Sequence, residues 1–171
     1  MGSGTWTITG SGATAWNCAT STNLTVTGTG VISMSSASAK TFAGGNVTTW
    51  PVLRNAGAGA LTISGNNTFT TIENTVQPTT FTFTSGTTQT VTNFNVNGSF
   101  GNLVTINSSS AGSQATLSKP SGTVVSNYVS IRDSNATGGA AWIANFSTNV
   151  SNNTGWGFIG SGGGSFLSIL T

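Results

Sequence analysis

The chain has almost no charge. Six of its 171 residues carry a formal charge: Lys40, Arg54, Lys119, Arg132, Glu73 and Asp133. It has no histidine and a single cysteine, Cys18. Without histidine, neither a Ser-His-Asp nor a Cys-His arrangement can form, and a thiolate at Cys18 has no neighbouring base to activate it. One cysteine also excludes an intrachain disulfide. Trp16 and Cys18 share strand parity, so Cys18 reads as a small buried hydrophobe. Two carboxylates and no histidine make a poor ligand set for a metal, and no cofactor is expected. The net charge of +2 is scattered, with no two of the four basic residues within ten positions of each other. Counterion-driven nucleic acid binding needs a basic cluster, so that class is excluded. No apolar run approaches the roughly 20 residues of a membrane-spanning helix. The first residues lack the basic and apolar regions of a secretory signal, from which we expect manufacture and assembly in the cytoplasm.

What is abundant is glycine, hydroxyl and amide residues, together with nine Phe and five Trp. The apolar residues alternate with period two. Val104-Thr105-Ile106-Asn107 sets the pattern, and Trp6-Thr7-Ile8-Thr9, Leu24-Thr25-Val26-Thr27, Leu61-Thr62-Ile63-Ser64, Phe81-Thr82-Phe83-Thr84 and Val129-Ser130-Ile131-Arg132 repeat it. Such alternation puts apolar side chains on one face of a strand and hydroxyls on the other. A disordered polar chain would not need it. The first apolar residues of the units fall 18, 37, 20, 23 and 25 positions apart, and the long gap has Thr41-Phe42-Ala43-Gly44 near its midpoint. Self-similarity at about 20 residues marks a stacked-repeat protein.

These features predict an all-β fold, a parallel β-helix (β-solenoid) of about seven coils. The alternative is a β-sandwich, which also spaces its turns at 8 to 12 residues. The predicted organisation is a β-solenoid domain over 1–158, followed over 159–171 by a Gly/Ser linker and an apolar tail. Within the domain the pattern breaks at about 133–158. There Trp142, Phe146, Trp156 and Phe158 are expected to lie across the last coil as a cap, since a solenoid must shield its open edge. Trp50-Pro51 is expected to end a strand, because proline removes a ladder donor. The tail, with Phe166, Leu167, Ile169 and Leu170, is expected to dock either on a neighbouring subunit, for instance by strand addition, or on its own domain.

The sequence also resembles a known group. The residues concerned include Gly4-Thr5-Trp6-Thr7, Lys40-Thr41-Phe42-Ala43-Gly44-Gly45, Gly65-Asn66-Asn67-Thr68-Phe69 and Ser85-Gly86-Thr87-Thr88-Gln89-Thr90-Val91. Ser134-Asn135-Ala136-Thr137-Gly138-Gly139 and Asn153-Thr154-Gly155-Trp156-Gly157-Phe158 continue it. Over roughly Gly4 to Phe158 these are similar to β-solenoid repeats of tailed-phage virion proteins and bacterial surface, adhesin-like proteins. The resemblance implies a fold and no catalytic set.

The expectation is therefore a non-enzymatic structural protein of a phage virion, either a capsid decoration or cement protein or a tail-fibre component. Its expected partners are its own copies, grouped for instance as a trimer, and other virion proteins such as the capsid protein. The alternative is a bacterial surface adhesin or glycan-binding module using Tyr128, Trp142 or Trp156 as a stacking platform on a host-surface glycan. A third reading, glycan cleavage by Glu73 and Asp133, requires the two carboxylates to lie within about 5 to 9.5 Å. At 60 residues apart they are predicted to be separated by two or three coils.

Overall fold

The computed structural model describes residues 2–20, 24–45, 47 and 49–160. All regular structure among them is β, and the strands coil into a parallel β-solenoid. The first sheet stacks β1 (Thr5–Ile8), β3 (Val31–Met34), β5 (Trp50–Asn55), β7 (Asn67–Asn74), β9 (Thr88–Asn95), β11 (Ala115–Ser118) and β14 (Ser134–Thr137). The second stacks β2 (Gly12–Asn17), β4 (Lys40–Ala43), β6 (Leu61–Ser64), β8 (Thr80–Phe83), β10 (Val104–Ser108), β13 (Val129–Arg132) and β16 (Thr148–Ser151). A third, shorter sheet of β12 (Thr123–Asn127), β15 (Ala141–Asn145) and β17 (Trp156–Ile159) closes the last coils. Seven strands on one face are six steps apart, so the stack makes about six turns where about seven were expected. A sandwich is ruled out by the pairing, in which every strand pair is parallel.

The repeat seen in the sequence is this stack. Thr41-Phe42, Leu61-Thr62-Ile63, Phe81-Thr82-Phe83, Val104-Thr105-Ile106 and Val129-Ser130-Ile131 all lie in the second sheet. The Trp6 unit instead belongs to the first sheet, where Trp6 pairs with Ile32, and Leu24–Thr27 is not a strand. The register runs Leu61↔Phe81↔Ile106↔Ile131. The Val104 unit is therefore two residues out of phase with the Leu61 unit. An even offset keeps the same face inward, so the pattern survives it.

Inward columns form the core: Leu61, Phe81, Ile106 and Ile131 in one, Ile32, Leu53, Ile72 and Phe94 in another. Outward columns are polar, for example Thr41, Thr62, Thr82, Asn107 and Arg132. The corner from the second sheet to the first needs a left-handed residue. Gly65 and Gly86 supply it at φ 75° and 73° without a Cβ penalty. In the later coils Asp133 and Asn152 supply it at 54° and 52°, the non-glycine residues that best tolerate this region. Asp133 Oδ1 there accepts from the Gly112 N–H at 3.2 Å and the Asn152 amide at 2.8 Å. A second corner is held by an asparagine ladder. Asn74 and Asn97 exchange bonds at 2.9 Å, Asn127 donates twice to Asn97 Oδ1, and Asn145 donates to Asn127 Oδ1 at 3.3 Å.

Two local expectations are corrected. Trp50-Pro51 opens β5 instead of ending a strand, a position where the missing proline N–H is tolerated. The segment read as a cap is coiled into the stack: β14 pairs with β11, β15 with β12, β16 with β13 and β17 with β15. Its strands β14 and β16, with the sequences SNAT and TNVS, carry one apolar residue each and so show no hydrophobic alternation. The last coil itself forms the end of the described stack. The tail residues Phe166, Leu167, Ile169 and Leu170 lie outside the described residues.

Candidate interaction surface

The corner leading from the third sheet into the second has unusual residues. Tyr128 and Phe146 occupy it in successive coils at φ 52° and 51°. Both are large aromatics in a conformation that costs L-residues about 1–2 kcal/mol and that bulky side chains rarely adopt. Their backbones are fixed from above, Tyr128 N–H donating to Asn145 O and Phe146 N–H to Ile159 O, each at 2.9 Å. The rings stack at 5.3 Å between centroids and 21° between planes. Such a pair contributes about 0.5–1.5 kcal/mol, which offsets part of the backbone cost. Phe146 nevertheless remains 56% exposed.

One coil below, Leu103 precedes Val104 as Tyr128 precedes its register partner Val129, and it too is exposed. Gly98 and Val104 donate to the Asn127 and Tyr128 carbonyls, so the intervening loop bulges out at this corner. Ser99 and Asn102 pair across it, putting Phe100-Gly101 at the tip, with Gly101 at φ 77°. Phe100 is 88% exposed, the most of any large hydrophobic residue described. Next to the corner lies the outer face of the third sheet. Val125, Ile143 and Gly157 form one outward row, and Asn127, Asn145 and Ile159 the next. Val125 and Ile159 are exposed. The result is an apolar stripe running along the stack axis on a molecule whose second sheet shows hydroxyls and amides. Contiguous exposed apolar surface of this kind marks contact sites.

Of the residues singled out from the sequence, Tyr128 is in this stripe. Trp142 and Trp156 are not. They meet each other inside the coil, edge to face at 5.1 Å, and Trp142 also meets Phe94 at 5.6 Å. The Trp142 N–H donates to Thr137 O and the Trp156 N–H to Ser134 Oγ, both at 3.0 Å. Trp142 is 3% exposed and Trp156 half-buried, so Trp142 offers no open ring face to a ligand. Its position alternates with outward Ile143, and with apolar residues on both parities of Ala141–Asn145 the sequence does not say which face is buried. Phe100, Phe146 and Ile159 were missed as surface residues. For Phe100 a signal existed, an aromatic inside the turn cluster Asn97-Gly98-Ser99-Phe100-Gly101-Asn102.

Among the described residues no group of three or more His, Cys, Asp or Glu is placed to hold a metal. Glu73 pairs with Arg54 at 2.7 Å, and buried Asp133 with Arg132 at 3.2 Å. Burial pushes the Cys18 thiol up, against a smaller opposing effect of a hydrogen bond with Trp16, away from a reactive thiolate. Among the described residues no helix is long and apolar enough to cross a membrane. Comparison with protein-family models, curated proteins and solved structures gives no match. The class defined by the coordinates is the β-solenoid, and any function must be argued from its surface.

Proposed function

We propose that the chain is a non-enzymatic structural protein of a phage virion, a decoration or fibre element that associates side by side with its own copies and with another virion protein. The observation that carries this reading is the axial stripe of Phe100, Leu103, Tyr128, Phe146 and Ile159. Lateral packing of parallel rods, in a trimer for example, buries a stripe that runs along the axis. The virion assignment rests in addition on the resemblance of the repeats. A nearly uncharged surface adds little repulsion between copies. The glycan-binding alternative is weaker, because Trp142 is buried and the Tyr128 ring has one face against Phe146.

Mass spectrometry of purified particles tests the proposal. The chain is expected in virions, with at least tenfold lower incorporation for Phe100→Ser combined with Phe146→Ser. A chain that is absent from virions, or incorporation that ignores both substitutions, overturns it.

A further inference from the structure

Among the described residues, the two ends of the stack expose apolar side chains and strand edges in complementary ways. At the first end, Trp6 is 45% exposed although its register partner one coil on, Ile32, is fully buried. Trp16 is likewise half-buried over fully buried Phe42, its register partner, with the rings stacked at 6.1 Å. Leu24, between β2 and β3, is exposed as well. At the last end, β16 is exposed along its whole length, with Val150 at 52%. Half-buried Trp156 and Phe158 lie above fully covered Trp142 and Ala144. Among the described residues, core-type side chains in both end coils are thus less covered than their register partners one coil inward.

The strand edges at these ends are open as well. Among the described residues β1 and β2 pair on one side, and so do β16 and β17, while β14 has a single bridge from Asn135 to Thr154 beyond it. Natural sheets blunt such edges with charges or proline. Here all six charged residues and all three prolines fall between Lys40 and Asp133, and neither terminal coil contains one. Because every sheet is parallel, the first edge of one molecule has the polarity needed to continue the last edge of another.

We propose that a second copy of this chain occupies the end, head to tail, with its β2 extending the second sheet beyond β16 and its Trp6–Trp16 face covering the exposed last coil. The contact is heterologous and does not close, so it continues into filaments. It is distinct from the lateral stripe.

Sedimentation and negative-stain microscopy of the full chain test this. Mass is expected to rise with concentration, with rods lengthening in steps of one solenoid. Trp6→Lys with Thr7→Pro blocks the first end, and Val150→Lys blocks the last. Each variant alone is expected to lose end-on association, while their equimolar mixture forms dimers that do not grow, through the two unblocked ends. Circular dichroism and melting of each variant confirm folding. Phe100→Ser with Phe146→Ser is expected to leave rod growth unchanged, which separates this contact from the lateral one. A monomer at all concentrations overturns the proposal, as does dimerisation of the Val150→Lys variant alone, which means a first-end-to-first-end contact. Association that appears only when residues 161–171 are removed overturns it too, because the chain's own tail then covers the edge.

Discussion

Lys40 and Leu61 are register partners in adjacent coils, and both point into the core. Lys40 fills the inward column that Leu61, Phe81, Ile106 and Ile131 fill further on, and it is 1% exposed. Its ammonium donates to the Ser36 and Gly59 carbonyls at 2.9 and 2.7 Å. Among the described residues no carboxylate joins it: Glu73 is taken by Arg54 and Asp133 by Arg132.

Burial without a counter-charge lowers the Lys40 pKa from 10.5 to about 8. Below pH 8 the amine is protonated in both folded and unfolded chains, and its cost to stability is constant. Between about 8 and 10.5 the unfolded chain binds more protons, so stability rises with pH. The raised Cys18 thiol acts in the opposite sense from about pH 9, which makes the informative quantity a difference between variants. We expect urea unfolding of the native chain to gain roughly 1–3 kcal/mol over that window relative to Lys40→Met. Parallel pH profiles for the two proteins contradict this.

Gly44 has a different constraint. A Cβ on it would lie 2.0 Å from Asn67 Oδ1 and 2.5 Å from the Trp50 indole nitrogen. Both atoms are buried, and neither has a hydrogen-bond partner. Gly44→Ala therefore has to displace Trp50 and the Asn67–Gln89 bond of 2.9 Å together. The expected loss is about 2–3 kcal/mol, measured as a lower denaturation midpoint with an unchanged slope.

The asparagine ladder predicts a graded series. Asn97 Oδ1 accepts from both the backbone and the side chain of Asn127, and its own N–H donates to Asn74. Asn145 is bonded at the end of the ladder through a single 3.3 Å contact. Asn97→Ala is expected to cost about 1–3 kcal/mol, because it strands donors that are shielded between coils. Asn145→Ala is expected to cost less than half as much. Equal losses in thermal unfolding mean that the ladder does not act through these bonds.

Much of this architecture is legible in the sequence, and the reason is physical. A strand buried on one face must alternate, and stacked coils must return the same face at each turn. The Leu61, Phe81, Val104 and Val129 units therefore announce the second sheet. The first sheet is less visible, because β7 and β9 bury polar Asn67 and Gln89, whose side chains bond across coils, Asn67 Nδ2 donating to Gln89 Oε1. The stripe was least legible. Tyr128 and Phe146 are aromatic like the core residues, and what sets them apart is a left-handed backbone at the corner, which the sequence does not display.

That turn gives the sharpest test of the stripe. If the Tyr128 and Phe146 rings serve the fold, glycine at either position must weaken it. If they serve a contact, glycine relieves backbone strain at φ 52° and 51° and removes only the stack. Relief of the left-handed strain is worth about 1–2 kcal/mol, less about 0.4–1 kcal/mol for the freer unfolded chain, and the net is comparable to the 0.5–1.5 kcal/mol of a lost aromatic pair. Gly160 adopts φ 62° immediately after β17, as Phe146 does after β15, so the corner accepts glycine. We expect Phe146→Gly to leave the melting temperature within about 4 °C of the native chain while reducing incorporation into particles at least tenfold. A melting temperature that falls by more than 10 °C assigns the ring to the fold and removes the stripe's main support.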